Sequence, residues 1–129
     1  MTTVEPLIVA DAGRASEGWN EPQGRGVIGW QTLLSADRTS SAALTAGIAI
    51  VEPGGFLARH RHAPAELYFV VEGEGVVTLD GHDRPVKRGD CVFIPPMCEH
   101  GVRNEAATIL RFLYVFPTDS FAEIEYLFS

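Results

Sequence analysis

The stretch from Gly54 to Gly73, GGFLARHRHAPAELYFVVEG, carries most of what decides the fold. His60 and His62 are separated by one residue, so an extended strand points both imidazoles to the same face. Ala63-Pro64-Ala65 interrupts that strand, and Glu66 to Glu72 opens a second run of aliphatic and aromatic residues. Further on, residues 89–104 read GDCVFIPPMCEHGVRN: Val92 to Ile94 lead into a Pro-rich turn, and His100 opens the strand beyond it. Two imidazoles and a carboxylate from one hairpin, with a third imidazole from another strand, make an N3O donor set. Such a set suits Fe(II), Mn(II), Ni(II), Co(II) or Zn(II) and leaves positions open for water or substrate. Taken singly, each histidine reads as an ordinary surface or core residue; the joint pattern of His60, His62, Glu66 and His100 counts for more. His82, in a hairpin turn, is expected to be inert.

Outward from these two stretches the chain reads as successive short strands. Val27 to Leu34, Ala43 to Val51, Val76 to Leu79, Val86, Cys91 to Ile94, Gly101 to Arg103 and Thr108 to Phe116 join Glu66 to Glu72 in the series. Turn residues separate them, at Pro53-Gly54-Gly55, Gly73-Glu74-Gly75, Arg88-Gly89-Asp90 and Pro95-Pro96. Asp80-Gly81 between two apolar runs is a hairpin signal, because both residues tolerate positive φ. The fold class is therefore all-β, a sandwich or closed barrel, with any helix confined to short pieces near the ends. Residues 1–26 are expected to form an irregular lead-in, and residues 1–129 a single domain.

The chain carries 10 Lys and Arg against 17 Asp and Glu, a formal charge of −7. The basic residues are scattered, apart from Lys87-Arg88, so neither nucleic acid nor an anionic membrane surface is an expected partner. No stretch approaches the length of a membrane helix, and Leu7 to Ala10 is too short for a signal peptide, so a cytoplasmic location is expected. Cys91 and Cys98 lack C-x-x-C spacing and are expected as buried or semi-buried free thiols. Cys98 precedes His100 by two, so pocket lining is its alternative role.

Gly54-x5-His60-x-His62-x3-Glu66-x6-Gly73 resembles the first cupin motif at every defined position. Gly89-x5-Pro95-x-Met97-x2-His100-x3-Asn104 resembles the second, with Met97 where the family usually has Gly. The resemblance implies a jelly-roll-like barrel of two antiparallel sheets holding one divalent metal ion through His60, His62, Glu66 and His100. Met97 leaves the local turn in question, since Gly there would permit positive φ. Asn104 is expected to bond loop backbone.

Tyr68 lies two residues after Glu66 and faces the same side on a strand. A divalent cation nearby favours phenolate, which makes this residue a candidate general base, with core packing as the plainer role. Pro64-Ala65-Glu66-Leu67-Tyr68 and the ending Phe116 to Tyr126 are similar to the small single-cupin dimethylsulfoniopropionate lyases. That similarity implies Tyr68 as the base, a second functional tyrosine at Tyr126, and a β-elimination releasing dimethyl sulfide and acrylate. Trp30 and Tyr126 are otherwise packing anchors, or aromatic walls of a pocket mouth. The same ligand set also fits an Fe(II) dioxygenase, a sugar or keto-acid isomerase, or a module that binds a small molecule without turnover. A homodimer through an outer sheet face is expected.

Overall fold

The computed structural model describes residues 4–10 and 16–129. The strands are β1 (Glu17–Glu21), β2 (Gly26–Leu34), β3 (Thr45–Val51), β4 (Phe56–Arg61), β5 (Glu66–Glu72), β6 (Glu74–Leu79), β7 (His82–Lys87), β8 (Cys91–Ile94), β9 (His100–Arg103), β10 (Leu110–Phe116) and β11 (Leu127–Phe128). The one helical piece among the described residues is a single 3-10 turn at Phe121–Glu123.

All pairings are antiparallel, and the sheet runs β7-β6-β9-β4-β2-β3-β10-β5-β8, with β1 on β2 and β11 on β4. The two sheets expected from the sequence are joined into one hydrogen-bonded, curled surface. The join is narrow: β2 meets β4 only through Gly26↔Leu57 and Val27↔Phe56. Gly26, with φ 133, makes this corner possible, since a Cβ there would collide with the Phe56 carbonyl.

Alternation places the core. Leu110, Phe112, Tyr114 and Phe116 of β10 point inward, against Val70 and Tyr68 of β5, Val92 and Ile94 of β8, and Val51 and Ala49 of β3. The hairpin predicted at Asp80-Gly81 is present, with φ of 48 and 81. It leads into β7, an edge strand that tolerates Pro85 because an outer strand need not donate every hydrogen bond.

The irregular lead-in expected over residues 1–26 is corrected at its C-terminal end. Glu17–Glu21 is a strand, with Trp19 opposite Ile28, and Gly26 already belongs to β2. EGWNE holds one apolar side chain, so it shows no alternation of its own; pairing with β2 orders it. Gly18 suits the pairing, since a Cβ there would lie 2.6 Å from the Ile28 carbonyl oxygen. The parts of that lead-in at 1–3 and 11–15 lie outside the described residues. Among the described residues, no helix is long and apolar enough to cross a membrane.

Candidate metal centre

β4, the turn after it and β9 bring His60, His62 and His100 together inside the barrel. His60 faces His100 across the β4–β9 ladder. Their ring centroids are 4.1 Å apart, and His62 lies 4.9 Å from His100. All three side chains are buried, and one nitrogen from each lies within 4.8 Å of the others, a group that could hold a metal ion.

Backbone carbonyls fix the rings. His60 Nδ1 lies 2.8 Å from the Ala58 carbonyl, His62 Nδ1 2.9 Å from that of Pro64, and His100 Nδ1 2.9 Å from that of Cys98. A carbonyl only accepts, so each Nδ1 carries a proton and each ring turns its Nε2 to the interior. His60 Nε2 is buried with no hydrogen-bond partner. Burial, then the neighbouring His100, holds His60 down to about 3, so the ring is neutral.

Glu66 opens β5 and places Oε1 3.1 Å from His62 Nε2 and 3.2 Å from His100 Nε2. Burial alone would pull His62 down, but the Glu66 carboxylate and the Pro64 carbonyl outweigh it and the ring is raised. Donors about 2.1 Å from one shared ion stand roughly 3–3.4 Å apart, the spacing Glu66 Oε1 keeps from His62 and His100, while the three histidine nitrogens lie within 4.8 Å of one another. The orphaned His60 Nε2 and the inward carboxylate thus fit a divalent cation better than a proton, which satisfies only part of the set.

Above this floor lies a cavity of about 30 Å3, lined by Trp19, Trp30, Glu66, Tyr68, Tyr114, Phe121 and Tyr126 among others. Tyr68 follows Glu66 by two on β5, shares its inward face and packs 4.4 Å from Phe112. Tyr126 stacks on His60 at 4.8 Å, and β11 then pairs with His60 and Arg61. Burial, then the Glu66 charge, raises both tyrosines well above their usual value.

Trp30 lines the cavity, as the alternative sequence reading had it. Trp19, 5.0 Å from Trp30 and capped by Arg25 at 4.2 Å, escaped the sequence reading with the rest of β1. Tyr114 pairs directly with Tyr68, and the alternation Leu110, Phe112, Tyr114, Phe116 would have marked it as inward. His82 is exposed at the start of β7 and apart from the cluster. Cys98 is half-buried and lines an outer groove with Asp80 and Phe93 instead of the metal centre. Cys91 is exposed, correcting the expectation of a buried thiol: β8 alternates, and Val92 and Ile94 take the inward positions. Met97 adopts φ 60, the left-handed conformation Gly would supply, and donates its N–H to the His62 carbonyl at 2.8 Å. Asn104 bonds the carbonyls of Val51 and Thr108 and the N–H of Ala106, as a loop tie.

A curled antiparallel barrel with inward histidines from two strands and a small aromatic-lined cavity defines a class of β-barrel small-molecule proteins. The chain belongs to the cupin family: the cupin domain model (Cupin_2) matches residues 47–116. It is 38% identical over 104 residues to the dimethylsulfoniopropionate lyase DddW of Ruegeria pomeroyi, covering 81% of this chain and 68% of that protein. It is 32% identical over 93 residues to an oxalate-binding protein of Thermotoga maritima, covering 71% and 77%. Among solved structures, a predicted oxalate decarboxylase of Thermotoga maritima superposes with a TM-score of 0.76 at 28% identity, over 87% of this chain and 99% of that one.

Proposed function

We propose that this chain is a divalent-metal-dependent lyase that releases dimethyl sulfide from dimethylsulfoniopropionate by β-elimination. The observation that carries the reading is the alternation on β5, which sets Glu66 and Tyr68 into one aromatic-lined cavity beside the three imidazoles. The 38% identity to DddW supports the substrate class. His60, His62, Glu66 and His100 would hold the ion, which when bound supplies positive charge for a substrate carboxylate and for a phenolate at Tyr68.

Tyr68, as tyrosinate, takes the proton α to the carboxylate. The C–H electron pair becomes the Cα–Cβ double bond, and the Cβ–S pair departs on sulfur. Dimethyl sulfide and acrylate result, with the proton on Tyr68 Oη. The ring faces of Trp19, Trp30 and Tyr126 exclude water and suit the sulfonium cation. The present space holds a water or two, so substrate entry displaces the segment from Tyr126 to Phe128.

The test is headspace gas chromatography of stripped protein reloaded separately with Mn(II), Fe(II), Ni(II), Co(II) or Zn(II) and given dimethylsulfoniopropionate. Metal-dependent release that is lost in His100→Ala is the expected result. No release with any metal at full loading would refute this substrate. The oxalate-binding relative supports a second reading, capture of a small acid without turnover. Oxalate recovered bound and unchanged from metal-loaded protein, with no oxygen consumed, would favour it over both a lyase and a dioxygenase.

A further inference from the structure

The cavity wall holds a polar group that the proposed chemistry does not use. Tyr114 of β10 is 6% exposed and lines the same space as Glu66 and Tyr68. Among the described residues, two buried side-chain polar atoms have no hydrogen-bond partner: the Tyr114 hydroxyl and His60 Nε2. The second faces the metal centre. Thr45, Thr78 and Asn104, buried elsewhere, are all bonded. Burying a hydroxyl without a partner is costly and rare. An orphan in the wall of a cavity marks where a ligand completes the set.

The backbone makes room for this phenol. Tyr114 sits opposite Tyr68 on one side and opposite Gly47 on the other. A Cβ at Gly47 would collide with the Tyr114 hydroxyl and lie 2.5 Å from Cζ, so the ring leans over the one place in β3 where no side chain stands in its way. β10 is hydrogen-bonded on both flanks, to β3 and β5, so the hydroxyl keeps its place when the segment from Tyr126 to Phe128 moves. Thr32, in register with Gly47, gives its hydroxyl proton to Glu17 at 2.9 Å and closes no bond with Tyr114. Burial raises the phenol and outweighs the pull of Thr32 in the other direction, so the group keeps its proton and can donate it.

We infer that Tyr114 is a specificity-determining residue, whose hydroxyl donates a hydrogen bond to the carboxylate of the small acid held in this cavity. A carboxylate offers about four lone-pair sites, more than one ion occupies. A bond from a neutral donor to a charged oxygen is strongest in a dry, apolar-walled space. A ligand without that oxygen leaves the hydroxyl orphaned, so the wall rejects it. The inference rests on the cavity being a small-carboxylate site; it does not depend on whether the ligand is then cleaved.

Tyr114→Phe removes one oxygen and keeps the ring contacts, at 6.0 Å to Phe116 and 6.3 Å to Phe121. Acrylate titrated calorimetrically into the metal-loaded full chain should bind the variant about ten- to a hundredfold more weakly than the parent. Metal content should be unchanged. Where dimethylsulfoniopropionate is turned over, KM should rise with the acrylate dissociation constant while kcat changes less than about threefold. Without ligand, the variant should melt no lower than the parent, because its hydroxyl had no partner to lose. Equal acrylate affinity in parent and variant would overturn the inference. So would a midpoint lowered by about 4 °C or more, the mark of a hydrogen bond inside the wall, or a Thr32→Val variant that loses acrylate to the same extent. A kcat loss at constant KM would overturn it by moving Tyr114 into the chemistry. A parent that ignores acrylate at about 0.1 M, beyond even weak binding, would overturn it together with the small-carboxylate reading. Acrylate binding that depends on Tyr114, with no dimethyl sulfide released, would refute the elimination alone and uphold this inference.

Discussion

Tyr68→Phe separates chemistry from architecture more cleanly than any other substitution in this site. The ring is buried, packs 4.4 Å from Phe112 and lies edge-on to His100 at 6.2 Å; the change deletes one oxygen and keeps every ring contact. The stability change should therefore stay within about 1 kcal/mol. For a chain of this size that moves the melting midpoint by no more than about 5 °C. The proton transfer assigned to this phenol is worth roughly 10²- to 10⁴-fold in rate, or about 2.7–5.4 kcal/mol of barrier. The two effects differ by enough that one preparation can report both. Differential scanning calorimetry and metal analysis should show a folded, fully loaded protein, while kcat for dimethyl sulfide release falls at least about a hundredfold. Full turnover with metal bound would refute the base assignment. Loss of metal together with loss of turnover would refute it too, by assigning the phenol to the ion's surroundings.

Further expectations concern the ligands, the acid limb and the turn. His60→Ala and His100→Ala should each abolish stoichiometric metal, whereas His82→Ala, exposed on β7, should bind like the parent by plasma mass spectrometry. In the parent, adding metal at about a thousand times its dissociation constant should stabilise the fold by about 4 kcal/mol. The Arg103 guanidinium, then Thr78, holds the Asp83 carboxyl down to about 2 from 3.8. A carboxyl lowered by folding stabilises above its unfolded value and loses that contribution as pH falls towards the folded one. The difference in urea midpoint between the parent and Asp83→Asn should thus be full above about pH 4 and close by about pH 2. Met97→Gly should raise the melting midpoint by a few degrees: φ is already 60, the side chain is exposed, and relief of about 1 kcal/mol of left-handed strain exceeds the entropy that Gly adds to the unfolded chain. A lower midpoint would mean that the Met97 side chain contributes packing that its exposure conceals.

What was legible in the sequence follows from which interactions are local. The strands β3, β5, β8 and β10 carry their own signal, because alternate residues must meet the core. His60, His62, Glu66 and His100 were legible as a candidate set because two short stretches, residues 54–73 and 89–104, carry their spacing locally. β1 was not, since Trp19 is its single apolar residue and its order comes from pairing with β2, where it meets Ile28. β11 was missed for the same reason: two residues cannot show a period, and Leu127 and Phe128 are strand only because Arg61 and His60 offer partners. Of the two missed strands β1 brings Trp19 to the cavity, so the floor and the Trp30, Tyr68 and Tyr126 parts of the wall were readable and the Trp19 part was not.

The imidazoles are held by backbone, which leaves the residues around them free to differ. Each Nδ1 leans on a carbonyl two residues away in its own segment: Ala58 for His60, Pro64 for His62, Cys98 for His100. Ring orientation and tautomer are therefore set by strand and turn backbone, which almost any side chain preserves. A floor tied by side chains would restrict the residues behind it. This one leaves Trp19, Trp30, Tyr114 and Tyr126 free to change without releasing an imidazole. On the proposed chemistry, reaction type is decided in the wall, by whether a proton acceptor at the Tyr68 position stands beside the cluster and by the shape of the space left over. Glu66 is the exception among the donors, because its carboxylate is steered by contact with His62 and His100 and not by a backbone tie. It follows that substitution at Glu66 should alter which metal is preferred more readily than whether one is bound, whereas substitution of His60, His62 or His100 should remove binding itself.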